Sequence, residues 1–125
     1  FHFGSTITTD LANYNGRHTY SKEPTGKYLK TTTDVGNFRP NSFGLYDMHG
    51  NIWEWCQDDW HNSYTGAPRK GSVWESSTSN HKVIRGGSWI FSPGACRSAS
   101  RSYYTSPVNR SYGIGFRVSC VAPRT

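Results

Sequence analysis

No acidic residue follows Glu75 in this chain, whereas basic residues continue to the C-terminal end. They are Lys82, Arg85, Arg97, Arg101, Arg110, Arg117 and Arg124. A basic segment of this kind is compatible with nucleic-acid binding. No two of these residues are adjacent, however, and isolated arginines in turn-rich segments commonly hold loops through hydrogen bonds to carbonyl groups. We therefore expect the arginines to brace loops, and we do not expect nucleic acid as a partner.

Long apolar runs and closely spaced cysteines are also missing. No run approaches the roughly 20 residues that a membrane-spanning helix needs, so no transmembrane segment is predicted. Cys56, Cys96 and Cys120 are an odd number and form no CxxC pattern, which excludes a disulfide scaffold and a thiolate zinc site. Three buried thiols are expected in preference to one disulfide with a spare thiol.

Leucine and isoleucine are scarce, while aromatic residues make up 15% of the 125 residues. The core of this single domain must therefore be built largely from Trp, Tyr and Phe, whose polar tips need partners when they are buried. Thirteen glycines and little helical periodicity favour short strands joined by long loops.

Two long loop regions are predicted. Residues 1–42 are polar and rich in turn formers, so we expect a wrapped loop pinned by aromatic residues such as Tyr14. Residues 57–81 are expected to form an exposed excursion, with Asp58 and Asp59 in a solvated turn.

Two strands are predicted in the second half. Residues 82–85 form a short β-branched segment that leads into Gly86-Gly87. Residues 115–121 are predicted to form a closing strand with Phe116, Val118 and Cys120 on one face.

Glu54 is the one charged residue in the apolar segment Ile52-Trp53-Glu54-Trp55-Cys56. A carboxylate between two tryptophans requires a counter-charge. Asn51 and Glu54, with main-chain carbonyls at the preceding turn, offer the oxygen ligands that calcium prefers. An ion pair between Glu54 and an arginine of the basic half would satisfy the carboxylate equally well, and both interpretations stay open.

Four blocks of sequence occur in the order in which one known family carries them. They are NSFGLYDMHGNIWEW from Asn41, RGGSW from Arg85, CRSASR from Cys96 and GFRV from Gly115. Together they resemble the formylglycine-generating enzyme (sulfatase-modifying factor) family. The resemblance implies an α+β, C-type-lectin-like fold, loop-rich with short antiparallel strands. Residues 1–125 would form a single, partial domain, the C-terminal part of the full one.

The resemblance also bears on cofactors. The segment Gly50–Glu54 is similar to a calcium site of the family, with Asn51, Ile52 and Glu54 as the implied ligands. Active family members hold copper through a pair of cysteines shortly after the Gly-Gly-Ser block, and soft thiolates suit Cu(I). The matching stretch here, Trp89–Ala95, contains no cysteine, so we expect neither copper nor formylglycine formation.

The residues between Ile90 and Gly113 have a restricted vocabulary that includes no Lys, Glu, Gln, Met or Trp. Variable proteins of diversity-generating retroelements resemble the same family, and they are diversified by randomising adenines of a template. An AAC codon altered at its first two bases encodes residues such as Asn, Ser, Thr, Ile, Tyr, Phe, Gly, Ala and Val. It cannot encode the residue types that are absent here. An ordinary Ser- and Tyr-rich loop in an inactive family member is the alternative.

The candidate variable positions share this vocabulary and lie within a candidate variable region at residues 85–120. They are Ile90, Phe91, Ser92, Gly94, Ala95, Ser100, Ser102, Tyr103, Tyr104, Thr105, Ser106, Val108, Ser111, Tyr112 and Gly113. Tyr with Ser and Gly is the mixture that antibody paratopes use.

These observations predict a ligand-binding display protein. Its variable region, about residues 90–113, would be diversified by a retroelement and would bind a variable protein or cell-surface ligand. Tyr103, Tyr104 and Tyr112 are expected to dominate affinity together with Ile90 and Phe91. Arg117, Trp89 and Trp53 are expected to be needed for folding. The alternative function is an active or degenerate oxidoreductase of the formylglycine-generating type that acts on a protein cysteine.

Overall fold

Four short strands form one sheet in the computed structural model, which describes residues 1–105 and 111–120. The strands are β1 (Trp53–Asp59), β2 (His81–Arg85), β3 (Ser102–Thr105) and β4 (Ile114–Gly115), and a 3-10 turn spans Pro93–Cys96. Their order in the sheet is β3-β2-β1-β4. β2 pairs antiparallel with both β1 and β3, whereas β1 and β4 are parallel. No helix of the described residues is long and apolar enough to cross a membrane.

The central strand β2 forms where the sequence predicts it. Val83 and Ile84 are 5% and 4% exposed, and because successive side chains point to opposite faces, β2 is covered on both faces. The β1–β2 register aligns Trp55 with Ile84, and a bulge then shifts it so that Asp59 aligns with Lys82. Aromatic and β-branched residues, which favour pleated structure, dominate the paired positions.

The predicted closing strand is much shorter than expected. β4 comprises Ile114 and Gly115, and residues 116–120 are not in a strand. Phe116 and Val118 are 78% and 83% exposed. These side chains face no core among the described residues. The prediction was therefore wrong for residues 116–120, and Val121 lies outside the described residues.

Residues 1–52 contain no helix or strand, which agrees with the predicted wrapped loop region. They are anchored by a small cluster of buried residues in which Ile7, Ala12 and Tyr14 pack with Cys96. The Tyr14 hydroxyl donates to the Ile7 carbonyl oxygen at 3.2 Å, so the polar tip of the buried ring has a partner.

The solvated turn predicted at Asp58 and Asp59 is wrong. Both residues end β1, where Asp58 accepts a hydrogen bond from the Trp74 N–H and Asp59 accepts one from the Ser76 N–H, each at 2.7 Å. Asp59 also pairs with Lys82 at 2.6 Å, and that hydrogen bond lowers the pKa of the carboxyl. The two carboxylates tie the excursion to the sheet.

Of the three thiols, only Cys96 is buried as expected. Cys56 is half-buried and Cys120 is exposed. Cys96 lies directly beneath Gly87, where a β-carbon would come within 2.5 Å of the Cys96 sulfur. Gly87 has φ of +78°, a conformation that side chains rarely adopt, so this position requires glycine on two grounds.

Candidate functional site

A cleft of about 270 Å³ opens on one face of the sheet. Directly opposed residues of antiparallel strands point to the same face of the sheet, and so do residues two apart in one strand. Ile84 is opposite Ser102, and Lys82 is opposite Tyr104. Ile84, Ser102 and Tyr104 therefore point to one side of the sheet. The described lining residues are Trp53, Ile84, Trp89, Ile90, Phe91, Ser102, Tyr103, Tyr104, Ser111, Tyr112, Gly113 and Ile114. The sheet forms the floor, and the segments around Ile90 and Tyr112 form the walls.

Residues outside the candidate variable set hold the walls in place. The indole N–H of Trp89 donates to the Tyr112 carbonyl oxygen at 3.2 Å, which ties one wall to the other. The Trp53 backbone N–H donates to the Gly113 carbonyl oxygen at 2.8 Å. The Trp53 ring meets Phe91 edge-on, with ring centroids 5.7 Å apart. The hydrogen bonds from Trp89 and Trp53 end on main-chain carbonyls and therefore do not depend on the rim side chains, whereas the ring contact of Trp53 does involve Phe91.

The structure brings eight of the candidate variable residues together at this cleft. They are Ile90, Phe91, Ser102, Tyr103, Tyr104, Ser111, Tyr112 and Gly113. The remaining described candidates lie elsewhere: Ser92, Gly94 and Ala95 at the 3-10 turn, Ser100 before β3, and Thr105 at the end of β3. Ser106 and Val108 lie outside the described residues.

The rim of the cleft exposes large apolar side chains. Tyr112 is 95% exposed, and Phe91 and Ile90 are each nearly half exposed. Contiguous exposed apolar surface of this kind commonly marks an interaction site.

Tyr103 and Tyr104 are directed to opposite faces of β3. The ring of Tyr104 lies edge-on to Trp55 at 6.1 Å, on the cleft face. The ring of Tyr103 packs against Trp60 at 4.7 Å and against His81 at 4.9 Å. Alternation along a strand is the cause. Neighbouring candidate residues therefore serve two different surfaces.

A cation–aromatic cluster adjoins Tyr103 on its side of the sheet. The guanidinium of Arg101 lies 4.2 Å from the Trp60 ring centroid and 4.4 Å from that of Tyr64, and it donates to the His61 carbonyl oxygen at 2.6 Å. Sequence analysis placed these aromatic residues in an exposed excursion and missed the cluster. The available signal was the run of aromatic residues after Asp59.

The framework arginines behave as loop braces, as predicted. Arg85 donates to the carbonyl oxygens of Ser98 and Ser100 at 3.2 and 3.4 Å. Arg117 donates to the Tyr46 carbonyl oxygen at 2.8 Å. Guanidinium donors that serve backbone carbonyls in this way hold turns that have no strand partner.

Glu54 pairs with Arg117, which is the ion-pair alternative that the sequence left open. Nε donates to both carboxylate oxygens at 3.0 Å, and the terminal nitrogen Nη2 lies 2.7 Å from Oε1. The hydrogen bond to Glu54 raises the pKa of Arg117. This contact links β1 to the segment after β4.

Asn51 belongs to a different network. Its Oδ1 accepts hydrogen bonds from the Thr33 N–H at 2.9 Å and from Asn13 Nδ2 at 3.2 Å, while its Nδ2 donates to the Thr33 carbonyl oxygen at 3.1 Å. The side chain thus fastens the first loop region to the turn before β1. The described side-chain hydrogen bonds of Glu54 go to Arg117, so Asn51 and Glu54 share no hydrogen-bond partner among the described residues.

The buried carboxylate of Asp47 is the feature of the structure that bears on cation binding. Its Oδ2 is buried and has no hydrogen-bond partner among the described residues. Burial raises the pKa of this carboxyl, the charge of Arg117 lowers it, and the charge of Glu54 raises it. A cation beside Asp47 and Glu54 would satisfy the orphaned oxygen, and such oxygen donors suit calcium. Sequence analysis did not single out Asp47, although it directly precedes the turn of the calcium-like segment.

Metal coordination at this point would need main-chain oxygens. The described residues contain no group of three or more His, Cys, Asp or Glu side chains placed to hold a metal ion. The carbonyl of Ile52, at the turn between Asp47 and Glu54 in sequence, is a candidate for completing the set. The donor types, carboxylate oxygens with a main-chain carbonyl, fit calcium.

Strand order, loop content and the cleft define a small domain with the C-type-lectin-like fold of the formylglycine-generating type. Residues 3–121 match the sulfatase-modifying factor enzyme 1-like domain. The chain belongs to this family.

Relatives of known sequence or structure are consistent with that assignment. The formylglycine-generating enzyme of Streptomyces coelicolor is 36% identical over 90 residues, which are 70% of this chain and 28% of the enzyme. PvdO from Pseudomonas aeruginosa superposes with a TM-score of 0.68 at 32% identity, over 90% of this chain and 50% of PvdO. Treponema denticola variable protein 1 superposes with a TM-score of 0.61 at 28% identity, over 86% of this chain and 35% of that protein. The chain therefore spans half or less of the length of these relatives.

Proposed function

We propose that this chain is a ligand-binding display protein whose binding surface is the cleft and its rim, and that a retroelement diversifies positions within residues 90–113. One observation carries the proposal. Eight of the thirteen described candidate positions, from three separate segments, line a single cleft. A Ser- and Tyr-rich loop with no binding role has no reason to converge in this way. The likeness to a variable protein from Treponema denticola supports the same function.

The physics of the surface suits variable recognition. Tyr112 and Phe91 present large rings with few rotatable bonds, so ordering them on binding costs little entropy. The backbone of their segments is held by Trp53 and Trp89. Side chains at the rim can therefore change while the shape of the cleft is kept.

An oxidoreductase acting on a protein cysteine is the alternative, and the state of Cys96 favours the binding function over it. Burial raises the pKa of the Cys96 thiol to about 12, and the residue is fully buried. A thiol of this kind forms little thiolate near neutral pH, and thiolate is the reactive species. Phe91 and its neighbours occupy the stretch where active relatives are expected to carry the cysteine pair.

The experiment that tests diversification is genomic resequencing of the source population. We expect a near-identical repeat beside a reverse transcriptase gene, with differences confined to adenine positions of codons between Ile90 and Gly113. Substitutions spread evenly over the frame residues Pro93, Cys96 and Arg97 would contradict the proposal.

Replacing Tyr103 and Tyr104 together with alanine should change ligand choice and leave a cooperative thermal transition. Both rings lie at the surface or the cleft wall, so we expect a loss of ~1–2 kcal/mol in unfolding free energy, as for partly exposed side chains. Circular dichroism during heating measures this directly. Trp89→Ala is the matched frame variant, for which we expect loss of the folded state. Loss of the transition in the double tyrosine variant would argue against a display surface.

We also propose that calcium binds beside Asp47 and Glu54, with the Ile52 carbonyl as a further ligand. When bound, the ion would neutralise the buried carboxylate oxygen. Calcium at about a hundred times its Kd should stabilise the folded chain by ~2.7 kcal/mol. A rise in the melting temperature on adding calcium measures this effect. Asp47→Asn should abolish this response, while Asp34→Asn, at an exposed position, should retain it. An unchanged calcium response in Asp47→Asn would exclude this site.

A further inference from the structure

We propose that the target of the cleft is a protein with an acidic surface patch, which faces two cations beside the cleft, Arg17 and Lys27. This pair is called the basic flank below. The apolar cleft takes an uncharged part of the target, and carboxylates next to that part lie against the basic flank. This inference rests on the proposed binding function and specifies the chemistry of the partner.

The first observation is that the loop carrying the basic flank is attached to a wall of the cleft. The Asn15 backbone N–H donates to the Phe91 carbonyl oxygen at 2.9 Å. The Tyr28 ring stacks on the Trp89 ring, with centroids 6.1 Å apart. Phe91 and Trp89 both line the cleft. The segment from Asn15 to Tyr28 therefore begins and ends at the same wall.

Contacts within this segment bring Arg17 and Lys27 onto neighbouring stretches of chain. The Gly16 N–H donates to the Lys27 carbonyl oxygen at 3.2 Å. The guanidinium of Arg17 lies over the Tyr28 ring, 5.2 Å from its centroid. Trp89, Tyr28 and Arg17 therefore follow one another outward from the cleft.

The second observation is that the basic flank has no counter-charge among the described residues. Both side chains are exposed, and neither forms an ion pair with a described residue. Glu23 is the one acidic residue between Asn15 and Tyr28, and it accepts a hydrogen bond from the Ser21 N–H at 2.7 Å. Unpaired cations give this side of the cleft a positive potential, which attracts acidic groups.

The third observation is the separation of charge from apolar surface. The described lining of the cleft includes no charged side chain, so a carboxylate inside it would lose water without gaining a partner. Charges at the edge of an interface stay in contact with water, and they chiefly raise the association rate and exclude wrong partners. The matching target therefore carries an uncharged apolar group with carboxylates beside it.

The basic flank also lies outside the candidate variable positions. Substitutions at the rim would leave its charge unchanged, so every variant would be steered towards the same chemical class of target. Specificity among acidic targets would then come from the variable rim.

A protein fits the basic flank better than nucleic acid does. Nucleic-acid binding depends on a track of phosphate contacts, for example about six to ten of them. The basic flank offers two cations next to an apolar cleft, far fewer than such a track. A protein surface presents apolar groups and carboxylates side by side, and the guanidinium of Arg17 can donate two parallel hydrogen bonds to one carboxylate.

The test selects binders from a displayed library of an immunoglobulin-type domain whose randomised loops contain acidic and basic residues at equal frequency. The library is depleted on the double variant Ile90→Ser, Tyr112→Ser, which removes two exposed rim side chains, and is then selected on the intact chain. This selection requires the cleft rim and makes no demand on the basic flank. We expect Asp and Glu to be enriched in the selected loops. Equal use of acidic and basic residues would overturn the proposal.

Charge reversal then tests the basic flank directly. The association rate of each binder is measured by surface plasmon resonance on the double variant Arg17→Glu, Lys27→Glu. The matched control is Arg69→Glu, Lys70→Glu, which changes the net charge equally at two exposed residues that do not line the cleft. We expect a loss of about tenfold or more in the first variant, the scale of electrostatic steering, and less than about threefold in the control. Equal losses would overturn the proposal, because they would reflect net charge alone.

Two further measurements keep the outcomes distinct. If charge reversal abolishes the thermal transition, Arg17→Gln with Lys27→Gln is compared with Arg69→Gln with Lys70→Gln. If the depletion variant does not fold, Tyr112→Ser alone takes its place. Random-sequence duplex DNA and phosphatidylserine vesicles are titrated in parallel. Binding to either that is tighter than to the selected domains, and is lost on charge reversal, would overturn a protein target.

Failure of this inference is distinguishable from failure of the proposed function. If rim-dependent binders are obtained but charge reversal does not affect them, the acidic target fails and the display function stands. If no binder depends on the rim, the binding surface fails and this inference fails with it. If charge reversal acts as expected but resequencing finds no adenine-directed variation, diversification fails and the acidic target stands.

Discussion

Replacing Gly87 with alanine is expected to cost about 4 kcal/mol of unfolding free energy, which would leave a small domain largely unfolded at physiological temperature. Two effects combine. The positive φ of +78° is strained for any residue with a β-carbon, by ~1–3 kcal/mol. The new methyl group would also come within 2.5 Å of the Cys96 sulfur and 2.9 Å of its Cα, and overpacking of this kind costs ~1–3 kcal/mol.

Gly86 supplies the matched control, because it has the same backbone strain without the clash. Its φ is +94°, yet a β-carbon there would meet nothing closer than 3.8 Å. Gly86→Ala should therefore lose only ~1–3 kcal/mol. Urea unfolding followed by circular dichroism measures both variants. Equal losses of unfolding free energy in the two variants would show that the clash with Cys96 does not contribute to the need for glycine at position 87.

Trp53→Ala should destabilise the chain by ~3–5 kcal/mol, the range for deleting a large aromatic side chain from a core. Trp53 is 3% exposed and forms part of the cleft floor, where its ring packs against Phe91. Deleting it leaves a cavity beneath the cleft and removes the support of one wall. Unfolding should be followed by circular dichroism, because removing Trp53 itself changes the tryptophan fluorescence signal.

Trp53→Phe separates packing from hydrogen bonding at the same position. The indole N–H of Trp53 is buried without a partner among the described residues, so its removal sacrifices no hydrogen bond. We therefore expect Trp53→Phe to lose much less than Trp53→Ala, about 1–2 kcal/mol for the smaller ring. A loss equal to that of the alanine variant would indicate that the indole N–H has an essential acceptor.

The family blocks made the fold and part of the site predictable from sequence. Gly86, Gly87, Trp53 and Trp89 belong to those blocks. Val83 and Ile84 lie in the strand that was predicted at residues 82–85. Eight of the twelve described cleft-lining residues belong to the set selected by codon vocabulary, a criterion that does not depend on the fold.

Other features depend on contacts between distant segments, and local patterns do not specify them. Alternation at Phe116 and Val118 predicted a strand, but pairing ends at Gly115. Asp58 and Asp59 resembled a solvated turn because their partners, the amides of Trp74 and Ser76, lie on a loop whose path the sequence does not show.

The contribution of Asp47 was missed for a similar reason. In sequence it is one polar residue in a turn, and its significance comes from burial next to Glu54 and Arg117. Burial of a single carboxylate oxygen is a property of the assembled fold. Composition and spacing directed attention to Asn51, whose amide instead joins the network around Thr33.

The opposite orientation of Tyr103 and Tyr104 has an evolutionary consequence. Their rings have different aromatic neighbours, Trp60 and His81 for one and Trp55 for the other, so substitutions at the two adjacent codons should show little epistasis. Selection can then improve each surface separately. To optimise both positions, a population must sample a number of variants equal to the sum of the alternatives at the two codons, and not to their product.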